Sequence, residues 1–424
     1  MTVEPHPNLV ELFETSCRRF PERPLFGTKA AGRWTWTSYA ELEELVAALR
    51  GGLAALGVEA GDRVAIISKN RVEWAVAAYA TFGLGASLVP MYEAQRHDEW
   101  GFILRDCDAK VAIGSTGSIV GTLDAMRPSL PALQHVVALE GGEEDPRSYR
   151  ALLARGRAQP VPSRQPAGDA VACFVYTSGT TGKPKGVLLT HANLTSNVAA
   201  AGSVFPLDPE DRTLSFLPWA HAYGQLVEVH YLVSRGSSSA LNSDVAKLMD
   251  ELSEVRPTML VAVPRIFNRL YAAVNHQMED KPRFIRALFR SGIASGIRKR
   301  RGEALGPLEA LRLALADRLI FSKIRAKLGG NLKYALTASA AIDRRVAEMI
   351  DAIGIDVYEG YGLTETSPVV SGNYPGTRRL GSVGKPIPGV KVTLDTSLGR
   401  TPGEGEILVH GPNVMKGYHN RPEE

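Results

Sequence analysis

Cysteine is scarce: Cys17, Cys107 and Cys173 are scattered through 424 residues. An odd count without metal-ligand spacing argues against a disulfide framework and against a zinc site, and it fits a reducing cytosol. A strong charge of one sign is lacking too. Lysine and arginine total 49 against 45 carboxylates, a net charge of +4. Nucleic acid as the main partner would call for a marked basic excess or a recognisable module. No apolar run approaches the about 20 residues that cross a bilayer. The first residues, Met1-Thr2-Val3-Glu4-Pro5-His6-Pro7, lack the basic-then-apolar order of a secretion signal. A cytoplasmic protein is expected. No period repeats closely enough to suggest a solenoid, and no Ser-His-Asp pattern stands out.

What is present is an alternation. Apolar residues recur at helical spacing over 39–56, and Gly57 follows as a stop. A strand-like run follows at 64–68, then a helix over 72–82, a strand at 86–89, a helix over 99–105 and a strand at 110–113. Strands spaced by helices of this length imply βαβ units and a mostly parallel sheet. A polar, Pro- and Arg-rich patch at 155–168 reads as a surface connection between two lobes. Beyond it the alternation resumes, with a strand at 187–189, a helix from about 192, and strands at 213–217, 238–240, 259–263, 334–337 and 356–358. Residues 264–330 have continuous helical propensity, and between 281 and 301 every charge is positive: Lys281, Arg283, Arg286, Arg290, Arg298, Lys299, Arg300 and Arg301. With Phe284, Ile285, Leu288, Phe289 and Ile293 interleaved, this segment suits peripheral contact with an anionic membrane, such as the inner membrane face, although solvated helical faces are commoner. After Gly381, alternating runs at 390–394 and 405–409 suggest a small antiparallel or barrel-like subdomain.

The most informative string is Tyr-Thr-Ser-Gly-Thr-Thr-Gly-Lys-Pro-Lys-Gly at 176–186, which follows the apolar run 171–175. Its glycines free backbone N–H groups, its hydroxyls add donors, and Lys183 and Lys185 add charge, an inventory suited to a polyphosphate. The familiar P-loop places Gly-Lys-Ser/Thr five positions after its first glycine, but here Pro184 stands five positions after Gly179. The whole string instead resembles the phosphate loop of the adenylate-forming superfamily, which includes acyl-CoA synthetases, luciferases and peptide-synthetase adenylation domains. Further segments agree in order: Leu217-Pro218-Trp219-Ala220-His221, Thr337-Ala338-Ser339-Ala340-Ala341, Glu359-Gly360-Tyr361-Gly362-Leu363-Thr364-Glu365-Thr366, and a structural block at 405–412.

The resemblance implies an α/β fold with two βαβ-type subdomains, 1–165 and 166–375, their mostly parallel sheets packed together, followed by a small β-barrel-like subdomain at 376–424. It also implies roles. Thr177, Ser178, Gly179, Thr180, Thr181, Gly182 and Lys183 cradle the phosphates of ATP. Ala338, Ser339 and Ala340 support adenine beside Glu359, Gly360 and Gly362, and Tyr361 stacks on the base. His221 sits by the reacting carboxylate, Thr364 contacts the α-phosphate, Lys185 neutralises charge on pyrophosphate, and Glu365 with Thr180 holds Mg²⁺. The nucleophile is already an anion at neutral pH, so no catalytic base is needed. Met91-Tyr92-Glu93-Ala94, the run at 263–267 and the basic insertion are most similar to long-chain fatty acyl-CoA synthetases, with fatty acid, ATP and CoA as small-molecule substrates. An acyl tunnel near Tyr223, Val227 and Leu260 is expected.

Family members continue with a ribose-binding aspartate, a hinge and a C-terminal domain. These residues are therefore read as an N-terminal part, with impaired turnover by itself and its own C-terminal domain as a missing partner. A homodimer is a further expectation. Two alternatives stay open: an acyl-AMP ligase that serves a carrier protein, and a non-catalytic acyl- or nucleotide-binding protein at a membrane.

Overall fold

The apolar run ahead of the glycine-rich string forms the strand Val171–Ser178, inside a seven-stranded sheet. A computed structural model describes residues 6–178, 183–398, 401 and 403–424. Across this sheet the order is Gly417–Tyr418, Pro184–Thr190, Val171–Ser178, Ser87–Met91, Arg63–Ile67, Val111–Gly114 and His135–Ala138. Pairing is parallel from Val171–Ser178 through to His135–Ala138, and antiparallel at the other two junctions. Alternate residues serve opposite faces. Val64, Ile66 and Val175 join one buried cluster, while Ala65, Ile67 and Phe174 join another. Burial on both faces is why these strands read as unbroken apolar runs.

Helices Tyr39–Ala55 and Tyr149–Ala158 cover one side. Ser38 opens the first with a capping box, its hydroxyl accepting the Glu41 N–H while the Glu41 carboxylate accepts the Ser38 N–H. The two helices meet through glycines: a Cβ on Gly156 would lie 1.7 Å from the Ala48 carbonyl oxygen.

Sheet membership does not follow chain order across residue 165. The hairpin Pro24–Ala30 and Arg33–Ser38 joins Ser238–Leu241 and Arg212–Ser215 in a four-stranded sheet. A five-stranded sheet runs Met259–Ala262, Tyr334–Thr337, Asp356–Gly362, Val369–Gly372 and Lys385–Pro386. The Thr258 N–H, donating to the Arg212 carbonyl at 2.9 Å, ties these two sheets together.

Two expectations change. Pro184 does not extend a loop. It opens a strand antiparallel to Val171–Ser178, pairing with Ser178, a position where a missing N–H is tolerated. Where a barrel-like subdomain is expected, the described residues form a ribbon of two antiparallel strands, Lys391–Asp395 and Glu406–His410, and no closed barrel among them. Its would-be neighbours are recruited elsewhere, Lys385–Pro386 to the five-stranded sheet and Gly417–Tyr418 to the seven-stranded one.

Candidate active site

Parallel strands present their carboxyl ends to ligands in open α/β sheets. Tyr334–Thr337 and Asp356–Gly362 end together at a cavity of about 250 Å³. One wall is built from the turn Ala338–Ser339 and from Glu359, Gly360, Tyr361, Gly362, Leu363 and Thr364. The opposite wall comes from helix His191–Val204, through Ala201 and Val204, and from the helical run 222–235, through Tyr223, Val227 and Tyr231. His221 stands at its mouth.

Backbone geometry explains the small residues. A Cβ on Gly362 would fall 1.8 Å from the Pro368 carbonyl oxygen. That oxygen accepts the Leu363 N–H at 3.0 Å and the Thr366 hydroxyl at 2.8 Å, so the chain folds tightly back on itself. Two buried asparagines clamp this turn from outside. Asn197 donates to the Val369 carbonyl at 2.8 Å and Asn413 to the Thr366 carbonyl at 3.0 Å. The Thr364 hydroxyl has no hydrogen-bond partner among the described residues, although Thr364 is only 8% exposed. It remains free to donate into the cavity.

His221 Nδ1 accepts the Tyr223 N–H at 3.1 Å, which assigns the ring proton to Nε2. The residue has solvent on one side and crowded protein on the other, and that crowding pushes its pKa below the ordinary value. The imidazole is thus a neutral donor at pH 7. Burial pushes the Glu359 pKa up, opposed by the backbone N–H groups of Gly381, at 2.8 Å, and Ile342.

Glu365 lies next to the cavity rather than on its lining. Tyr418 donates its phenol proton to Glu365 Oε1 at 2.8 Å, and the Met415 N–H donates to the Glu365 carbonyl at 2.8 Å. The other carboxylate oxygen has no partner among the described residues. Lys185 Nζ lies 5.3 Å from the centre of the Tyr418 ring and is ion-paired with Glu424. Gly417–Tyr418 pairs with Leu188 and Val187, so Tyr418 joins the strand that carries Lys185 to the turn that carries Glu365.

Of the residues singled out in the sequence, His221, Ala338, Ser339, Glu359, Gly360, Tyr361, Gly362 and Thr364 share the cavity. Thr177, Ser178, Lys183 and Lys185 sit at the loop end of the hairpin, outside the lining. Ala340 is exposed beyond it, and Gly179, Thr180, Thr181 and Gly182 lie outside the described residues. Tyr223 and Val227 line the cavity, whereas Leu260 is packed into a different core cluster. Sequence reasoning missed Tyr418, Asn197 and Asn413. Each acts on a turn dozens to hundreds of residues away and carries no local signature.

The family profile described as AMP-binding enzyme matches residues 13–419. Among curated relatives, the long-chain-fatty-acid–CoA ligase FadD15 of Mycobacterium tuberculosis is 33% identical over 98% of this chain and 69% of its own length. The peroxisomal long chain acyl-CoA synthetase 7 of Arabidopsis thaliana is 31% identical over 99% of this chain and 62% of its own. Among solved structures, a long-chain-fatty-acid–CoA ligase (FadD1) from Archaeoglobus fulgidus superposes with a TM-score of 0.77 at 20% identity, covering 99% of this chain and 78% of that one. The N-terminal domain of FACL13 from Mycobacterium tuberculosis gives 0.74 at 24% identity, covering 99% and 92%. At those identities the structures speak for the fold alone. The profile match over nearly the whole length, with the sequence relatives beside it, establishes that the chain belongs to the AMP-binding enzyme family.

Proposed function

We propose that the protein activates a long-chain fatty acid with ATP, forming an acyl-adenylate and then an acyl-CoA. The observation that carries this reading is the one cavity shared by His221, from the block 217–221, and by Tyr361 and Thr364, from the block 359–366.

Attack of a carboxylate on a phosphate requires two anions to be brought together. The His221 Nε2–H is suited to orient the carboxylate without removing its charge, because the ring is a neutral donor. Thr364 offers its free hydroxyl to an α-phosphate oxygen, a donor placed before charge develops. Tyr361 gives an aromatic face for a base beside the small residues Gly360 and Ala338. Lys185, at the loop end of the hairpin, is the cation for the pyrophosphate side, where phosphate would replace Glu424 as its partner. The apolar part of the cavity, with Val204, Phe205, Val227 and Tyr231, suits the first carbons of an alkyl chain.

Among the described residues no group of three or more His, Cys, Asp or Glu is arranged to hold a metal ion. Mg²⁺ needs no such group, since it commonly binds through one or two carboxylates together with substrate phosphates. The free oxygen of Glu365 is the carboxylate available, and Mg²⁺ held there with Thr180 would neutralise phosphate charge.

The reading is tested by ATP–pyrophosphate exchange in the full-length protein with palmitate, acetate and benzoate. Palmitate is expected to support the fastest exchange, with Glu365→Ala reducing it by about 100-fold or more. Faster exchange with acetate or benzoate would remove the long-chain assignment. The relatives are longer than the matched region, so the 424 residues assayed alone are expected to bind nucleotide and acid but form acyl-CoA slowly.

A further inference from the structure

Residues 307–327 form one helical run, Pro307–Ala316, Asp317–Phe321 and Ser322–Lys327. It returns along helix Arg283–Arg300. The packed side is well defined. The Phe289 and Phe321 rings lie 6.2 Å apart, and a Cβ on Gly292 would come within 2.4 Å of the Ala316 Cβ. Ala316, Ile320, Phe321 and Ile324 are buried there.

The outer side is apolar as well. Leu308, Leu311, Leu315 and Leu319 follow one another at steps of three, four and four, the spacing of a single helical face. They are 59%, 56%, 43% and 45% exposed. Leucines scattered singly over a surface need no explanation, but four in line on one face do.

Charge decides what this face suits. Arg312, Arg318 and Lys323 flank the leucines, are exposed, and form no ion pair among the described residues. The carboxylates of the same run are turned away from it, Glu309 to Arg298 at 2.5 Å and Asp317 to Arg325 at 2.6 Å. The stripe is therefore bordered by cations without a counter-charge. A second copy meeting it across a two-fold axis would set cations against cations. An anionic lipid surface offers both an apolar layer and the opposite charge.

We infer that the face of 307–323 docks on an anionic bilayer surface, with Leu308, Leu311, Leu315 and Leu319 entering the boundary between headgroups and acyl chains. This places the contact on the returning helix rather than along the basic run 281–301. In that run Arg298 is paired with Glu303 and Glu309, Arg300 with Asp356, and Arg301 with Glu348. The inference does not depend on the reaction proposed above.

Co-sedimentation with vesicles tests it without any substrate. Vesicles of phosphatidylglycerol mixed with phosphatidylcholine are compared with phosphatidylcholine alone. The unaltered protein is expected to partition at least about tenfold better onto the anionic vesicles. Leu311→Asp with Leu315→Asp should lower that partitioning by about tenfold or more, and so should Arg312→Gln, Arg318→Gln and Lys323→Gln together. Arg301→Gln should leave it within about twofold. All these positions are exposed, and melting curves verify that each variant folds; if the leucine pair does not, the cation triple carries the test. Three results would overturn the inference: no binding of the unaltered protein to anionic vesicles, equal binding to neutral ones, or a dimer that the leucine substitutions dissociate in a protein that ignores vesicles.

Discussion

Two polar regions lie on and behind the walls of one cavity, and they handle polarity in opposite ways. At the cavity wall, Thr364, Glu359 and His221 keep a donor or acceptor directed at open space. In the helical wall the π-helical stretch Gln225–Tyr231 lines the cavity with Val227 and Tyr231 and keeps Gln225, Glu228 and His230 off it, all three at 0% exposure. Glu228 accepts from Ser215 at 2.5 Å and His230 Nδ1 meets the Tyr79 hydroxyl at 3.0 Å. Glu228 Oε1, Gln225 Oε1 and His230 Nε2 have no hydrogen-bond partner among the described residues. With no exit, the two ionisable groups, Glu228 and His230, are held in their neutral forms. Burial pushes the Glu228 pKa up to about 8 and the His230 pKa down to about 3, and nearby His191 falls to about 4. The contrast teaches that a polar residue marks a site when its unused valence opens on a cavity, not merely when it is buried.

Substitutions on the two sides should separate activity from stability. Of the substitutions on these two sides, the largest effect is expected from Thr364→Val, which keeps the shape and removes the free hydroxyl. Adenylation measured by pyrophosphate exchange in the full-length protein should fall about 10- to 100-fold with the melting temperature unchanged. A comparable loss of stability would place Thr364 with the core groups and break the comparison.

Glu228→Gln should do the reverse. The folded-state pKa is raised, so between about 4.3 and 8 the unfolded chain loses its proton while the folded one keeps it, and stability is lost as pH rises through that window. Removing the titration should stabilise the protein by roughly 2–4 kcal/mol at pH 8 and by little at pH 4, with exchange activity intact. The histidines run the other way. Their folded pKa values are depressed, so stability is lost as pH falls below about 6.5, by roughly 2 kcal/mol per histidine at pH 5. Melting curves of both proteins across pH 4–8 check both signs.

The smallest effect belongs to Tyr418→Phe, which removes the proton donated to Glu365 and leaves the ring beside Lys185. Apparent Mg²⁺ affinity in the exchange assay should change severalfold, since partners of a metal-binding carboxylate tune rather than create it. An unchanged Mg²⁺ dependence would detach Tyr418 from the site.

Much of this arrangement was legible in the chain. The parallel sheet showed because strands buried on both faces, such as Val111–Gly114, have no polar alternation to disguise them. The cavity-lining turn showed because Gly360, Tyr361 and Thr364 sit in one short motif. Other parts were hidden for physical reasons. The hairpin Pro24–Ala30 and Arg33–Ser38 joins a sheet built from residues about two hundred positions later, and local periodicity carries no trace of such pairing. Lys183, Pro184 and Gly186 read as turn chemistry, yet Pro184–Thr190 is a strand because its antiparallel neighbour fixes it. The positive run at 281–301 looked like a free cationic face, and only tertiary packing shows three of its arginines already neutralised by Glu303, Glu309, Glu348 and Asp356.

The shortest strand of the large sheet has an outsized influence. Gly417–Tyr418 holds the edge through two residues, and an edge that brief breathes open before the strands behind it. Were it to lift, Glu365 would give up its phenol and Lys185 its aromatic neighbour in one stroke. Such an opening would reset the electrostatic balance on both sides of the proposed phosphate path, and fast amide exchange at His419, whose N–H donates to the Gly186 carbonyl at 2.7 Å, would be its clock.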